Sequence, residues 1–140
     1  MAKKKTTQKL KKEASELIQL LVRMKAADDN GYCKCVTCDT VRMFNKGMQG
    51  GHFINRNKTK WFLSEENIHP QCDGCNGFGM RFHNKEIVYT LYMQDMYGAD
   101  FVQNMIDTKD EVVKLSRMDL LDNIADFKEQ IKYHKERIGA

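Results

Sequence analysis

The chain has 140 residues, 41% of them hydrophobic and 30% charged, with one proline, a formal net charge of +4 and a mean hydropathy of −0.62. That length suits one domain with a modest core, and no stretch approaches the ~18–20 apolar residues that span a bilayer. The start, MAKKKTTQKLKK, is charged but has no apolar segment behind it, which argues against a secretory signal and makes the cytoplasm the expected compartment.

Residues 1–12 hold six lysines and no acid. Leu10, Ala14, Leu17, Leu21 and Met24 then step by four and three, which predicts a helix over about 8–27, ended by the turn residues DDNG. Between 31 and 80 the chain is rich in Gly, Cys, Asn and aromatics, which suits short strands and tight knuckles. Arg42, Lys46, Arg56, Lys58 and Lys60 fall in this part with no acid between 40 and 64, the local basic surface expected to meet nucleic acid. Ile87, Val88, Leu91, Tyr92 and Met96 recur at helical spacing over about 83–97, Gly98 stops them, and a second short helix fits 99–107. Beyond DTKDE, Leu120, Ile124, Phe127, Ile131, His134 and Ile138 form a heptad-like stripe suited to pack on the N-terminal one. The organisation expected is a basic N-terminal helix (1–30), a site module (31–98) and a C-terminal helical extension (99–140), all in one compact unit.

In a reducing cytoplasm the five cysteines are expected to be ligands or thiols, not disulfides. Cys35-Val-Thr-Cys38 and Cys72-Asp-Gly-Cys75 are two CxxC pairs separated by 33 residues. Each pair can turn two thiolates toward one point, and two pairs complete the tetrahedral sulfur shell that Zn2+ favours. Four ligands leave no open position, so this zinc is read as structural. A thioredoxin-type redox pair is the rival, but no βαβ pattern surrounds either CxxC. Cys33 is left over as a free thiol.

Inside or against the zinc-closed segment stand His52, in GMQGGHFINR, Asn67, five residues before Cys72, and Asn76, directly after Cys75. A histidine followed by two asparagines and interleaved with CxxC pairs resembles the HNH, or ββα-metal, nucleases. More closely, CVTCDT, GGHF, ENIHPQCDGCN and HNKEIVYTLYMQDMYG resemble the phage NinG (Rap) recombination nucleases, over about residues 14–138. Phage recombination endonuclease VII is a more distant likeness. The resemblance implies an α+β fold: a small zinc-braced ββα-metal core flanked by N-terminal and C-terminal amphipathic helices. It implies His52 as general base, since a neutral imidazole can take a proton from water attacking phosphorus. By the same resemblance Asn67 braces the loop and orients the histidine, while Asn76 is a ligand to a catalytic Mg2+ or Mn2+.

Many HNH enzymes carry an aspartate directly before the histidine, and here that residue is Gly51, with Gln49 and Gly50 ahead of it. Asp39, Glu65, Glu66 and Asp73 are the nearest acids by sequence. Arg81 and His83, on or near the helix after Asn76, are candidates to reach the scissile phosphate. Arg56, Lys58 and Lys60, with Trp61 beside them, suit a DNA-contacting loop in which cations meet phosphates and an aromatic stacks on an unpaired base; Phe62 and Leu63 read equally as core strand. The paired glycines suggest a strand that lets a DNA backbone come close to His52.

The expected activity is therefore metal-dependent endonucleolytic cleavage of DNA, with branched recombination intermediates (Holliday-junction or D-loop type) as the substrate implied by the resemblance. Symmetric cutting favours a homodimer, with the terminal stripes as its interface, and other phage recombination proteins are candidate partners. An HNH nuclease for unbranched DNA, and a catalytically inactive zinc-stabilised DNA-binding module, are the rival readings.

Overall fold

The computed structural model describes residues 4–140, so Lys3 of the basic N-terminus lies outside the described residues. The fold is mixed α+β, with five helices and two small sheets. Helix α1 (Thr7–Ala26) begins where the Thr6 hydroxyl accepts the Lys9 N–H, relieving one of the donors that a helix start leaves unpaired. It buries Leu10, Ala14, Ile18, Leu21 and Met24, the face that its four-and-three spacing marks out.

The C-terminal helix, α5 (Arg117–Ile138), starts at a capping box in which Ser116 and Asp119 satisfy each other's backbone N–H groups. It buries Leu120, Ile124, Phe127 and Ile131 against α1. From its last turn Arg137 donates to the carbonyls of Met24 and Ala27, both at 2.9 Å, and so closes the C-terminal end of α1. The two terminal stripes thus meet within one chain. That is the packing expected of the C-terminal stripe on the N-terminal one, with each apolar face turned toward the other.

Between these helices, β1 (Tyr32–Lys34) and β2 (Val41–Met43) form one antiparallel hairpin, with Cys33 opposite Arg42. Strands β3 (Met48–His52) and β4 (Ile68–Cys72) form a second, with Gly51 opposite His69 and His52 opposite Ile68. Directly after β4 the chain enters a π-helical segment, Cys75–Gly79, which runs into the single turn α2 (Met80–Phe82). Helices α3 (Lys85–Tyr97) and α4 (Ala99–Asp107) follow. The helices expected over 8–27, 83–97 and 99–107 are observed within two residues of those bounds.

Two apolar clusters hold these parts. One joins α1 and α5 to Cys33, Phe44, Met48 and Ile68. The other joins α3 and α4, through Tyr89, Met93, Val102 and Met105, to Ile54, Phe53 and Trp61 of the connection between β3 and β4. Residues beyond 98 are therefore shared out: α4 packs beside the second hairpin's connection and α5 on α1.

The paired glycines answer to packing, which corrects their reading as room for DNA. A Cβ on Gly50 would lie 2.8 Å from the Cα of Gln19, so a side chain there would push α1 off β3. A Cβ on Gly51 would lie 1.8 Å from Oε1 of Gln71, whose side chain folds across the strand from β4.

Candidate active site and metal centre

The metal centre is assembled from two turns. Cys35 and Cys38 sit in a knuckle after β1, closed by Asp39 N–H donating to the Cys35 carbonyl at 3.0 Å, with Asp39 itself in the left-handed region at φ 65°. Cys72 ends β4 and Cys75 opens the π-helical segment. The four Sγ atoms lie within 4.8 Å of one another, and Cys38 and Cys72 are 3.6 Å apart. A tetrahedron with Zn–S arms of about 2.3 Å has edges of about 3.8 Å, so the donor set fits a zinc ion. Burial pushes the Cys75 thiol up to about 12 and raises that of Cys72; packed thiols of this kind ionise when a cation joins them. Cys33 stands outside the four, buried on β1.

The second hairpin and the helix after it enclose a cleft of about 430 Å³, lined by Gln19, Gln49, His52, Arg56, Asn76 and Arg81 among others. His52 is held at the end of β3, where its ring stacks on Phe62 and Nε2 lies 3.1 Å from the Phe62 carbonyl. A carbonyl only accepts, so Nε2 carries the proton and Nδ1 keeps its lone pair. Burial lowers the pKa of this imidazole below its usual value, and the charge of Arg56 lowers it further against the opposing pull of the Phe62 carbonyl. The ring is accordingly neutral at neutral pH and has one nitrogen free to accept.

Asn67 is fully buried and holds the loop to which Phe62 belongs. Its amide accepts the Ile54 N–H at 2.6 Å and donates to the carbonyls of Ile54 and Trp61 at 2.9 and 3.1 Å. Both amide hydrogens are thereby used on the backbone of the loop between β3 and β4. Asn76 sits across the cleft on the π-helical segment, a backbone form that recurs at functional sites, and donates to Gln49 Oε1 at 2.6 Å. Its own amide oxygen is left for another partner.

No carboxylate lines this cleft. Asp39, Glu65 and Glu66 line a different cavity, near His69 and Tyr97; Asp39 pairs with Lys34 and Glu65 with Lys25. Asp73 is exposed on the turn after β4, where its N–H donates to the Gly47 carbonyl. The space an aspartate would need at position 51 is taken by Gln71.

The structure divides the expected DNA-contacting residues. Arg56 and Arg81 line the cleft with His52, whereas His83 is exposed beyond the end of α2. Lys58 is paired with Asp110 at 2.6 Å, and Lys60 with Glu111. Trp61 donates from its indole N–H to Thr108 and meets Phe101 edge-on within the second cluster. The ring expected to stack on a base is thus partly buried against the second cluster, because the 108–111 segment folds back on the loop.

Two groups went unnoticed in the sequence. Gln49 meets Asn76 within the cleft, but a strand glutamine carries no local signal. His69, buried on β4, lies 3.0 Å from the Tyr89 hydroxyl and 2.7 Å from that of Tyr97. Tyr89 donates to the Gly51 carbonyl at 2.7 Å, so its oxygen accepts from His69 Nδ1–H, and Tyr97 donates to Nε2. Burial lowers the His69 pKa to about 4, so this relay is neutral and fixes the backbone one residue before His52.

A sequence profile of the family described as Bacteriophage Lambda NinG protein matches residues 1–137. The chain belongs to this NinG family. The match takes in all four zinc-type cysteines and the whole cleft of this NinG-family chain. No curated protein and no solved structure matches it. Among the described residues, no helix is long and apolar enough to cross a membrane.

Proposed function

We propose that this NinG-family protein is a metal-dependent DNA endonuclease of the HNH type, acting on branched recombination intermediates. The observation that carries the reading is a neutral His52, tied by Nε2 to Phe62 and free at Nδ1, facing Asn76 in a cleft that holds Arg56 and Arg81 and no acid. A hairpin whose first strand ends in the histidine, followed at once by a helical segment bearing the asparagine, has the order of a ββα-metal core. Such a cleft suits a phosphodiester: the guanidinium groups of Arg56 and Arg81 can meet its oxygens, and the nearby carboxylate of Glu16 lines the adjoining hollow, not the cleft itself.

In this mechanism His52 Nδ1 takes a proton from water as the water oxygen bonds to phosphorus. The P–O bond to the leaving 3′ oxygen breaks, and that oxygen takes a proton from solvent. The Phe62 carbonyl stabilises the imidazolium through Nε2–H, and Asn67 keeps that carbonyl in place. The amide oxygens of Asn76 and Gln49 suit a hard, mostly hydrated cation held jointly with the phosphate, though with no carboxylate they form a weak site without DNA. When bound, Mg2+ or Mn2+ would supply charge stabilisation at the phosphate. The four cysteines would hold a structural zinc that ties the knuckle after β1 to the end of β4 and the start of the segment bearing Asn76. A homodimer that makes the paired cuts would use surfaces other than the buried stripes of α1 and α5.

The acid-free cleft also favours a second reading, a zinc-stabilised module that binds DNA without cutting it. One assay separates them: zinc-loaded protein and His52→Ala, with Mg2+ or Mn2+, on linear, nicked, flapped and four-way DNA. The nuclease reading expects cutting of branched substrates and its loss, by ~10²-fold or more, in the variant. Tight binding without cutting establishes the binding module, and equal cutting of linear duplex establishes a nuclease for unbranched DNA.

A further inference from the structure

Beside the cleft, and outside the machinery described above, two phenylalanines stand in the open. Phe78 is 69% exposed and Phe82 61% exposed, although both belong to the helical run that carries Asn76. Four residues apart, they share a face; their ring centroids are 5.2 Å apart and tilted by 44°. The Arg81 guanidinium stands 6.0 Å from the Phe82 ring. The surface hollow that they line with Asn55, Gly77, Met80 and Arg81 shares Asn55, Asn76, Met80 and Arg81 with the His52 cleft and contains no acid.

Water-exposed aromatic rings gain nothing from a phosphate backbone, and paired bases in a duplex have their faces covered. Unpaired bases offer a free π-face, and ring stacking on such a face contributes substantially to single-strand binding. Apolar side chains can also wedge between steps that are already weakened. The charge pattern agrees: cationic Arg81 beside the rings and Arg56 in the adjoining cleft suit a polyanion, while the rings themselves suit its bases.

We propose that Phe78 and Phe82 form a stacking edge for unpaired bases next to the scissile phosphate, and so select DNA with a single-stranded or branch-point segment. This rests on the DNA-binding part of the function proposed above, but not on cutting. It places base stacking on two open rings, whereas Trp61 is partly buried and tied to Thr108.

The test measures affinity of the zinc-loaded full chain, without added Mg2+ or Mn2+, for flapped DNA and for linear duplex of equal length. Phe78→Ala/Phe82→Ala is expected to weaken flap binding by ~10-fold or more and duplex binding by less than ~3-fold. Phe78→Leu/Phe82→Leu, apolar without a π-face, is expected to lose as much as the alanine pair, and Phe78→Tyr/Phe82→Tyr to keep the preference. Because the rings are exposed, zinc content and helicity should match the parent in every variant. Equal losses on both DNAs, or a leucine pair that binds flaps like the parent, overturns the proposal. So does light scattering in which the alanine pair turns a dimer into a monomer, which makes the patch an interface between copies. A protein that prefers flaps through these rings but never cuts keeps this proposal and removes the nuclease; one that cuts equally well in the alanine pair, with unchanged flap affinity, does the reverse.

Discussion

An imidazole tied down by one ring nitrogen works through the other, and His52 is tied by Nε2 to the Phe62 carbonyl. Its pKa is lowered first by burial and then by Arg56. The basic form of His52 therefore persists to lower pH than that of a free histidine. On the nuclease reading, the acid limb of kcat/KM for a flapped substrate is expected at lower pH than a free histidine would give. Arg56→Gln removes a positive neighbour, so protonating His52 becomes easier and the acid limb moves to higher pH, a shift distinct from any drop in plateau height. An acid limb that stays put in this variant would disconnect Arg56 from His52. Some of this was written in the sequence: a histidine and two asparagines between CxxC pairs. Gln71 was not, because only the folded hairpin brings its side chain across Gly51 and so closes the place where an aspartate would stand.

At the scale of elements, the zinc-type cluster ties the first hairpin to the start of the π-helical segment, while α1 and α5 hold each other through their own stripe. Removing zinc by chelation, or through Cys72→Ser, is expected to cost on the order of 5 kcal/mol or more. Amide protection should be lost around β3, β4 and the segment bearing Asn76 before it is lost in α1 and α5. Elemental analysis should find one zinc per chain in the parent and in Cys33→Ser, and none in Cys72→Ser; a Cys33→Ser variant without zinc would mean a different ligand set. Helices α1 and α5 were legible because each keeps one apolar face in register over several turns, as Leu10 to Met24 and Leu120 to Ile131 do; α3 was placed with the wrong face inward, since Ile87, Val88, Leu91 and Met96 are exposed and Tyr89 and Met93 are buried. Strand β4 was not, since all five of its residues are buried and the polar–apolar alternation that marks a strand is missing.

For the whole molecule, the decisive contacts join distant stretches of sequence. Leu120→Ala is expected to cost about 2–5 kcal/mol, with an unfolding midpoint independent of protein concentration, because α5 finds its partner in its own chain. A midpoint that rises with concentration would point to an intermolecular stripe after all. The same long range explains why the loop's ion pairs could not be read from sequence: Thr108, Asp110 and Glu111 lie some fifty residues from Trp61, Lys58 and Lys60, and no local pattern announces them. That latch bears on the ionic atmosphere around any bound DNA. Lys58 and Lys60 already have carboxylates as company, so a phosphate arriving there trades one fixed anion for another and leaves the salt ions of the solution nearly untouched. Affinity should then fall less steeply with salt than a count of lysines and arginines suggests, and steepen when Asp110 and Glu111 are neutralised.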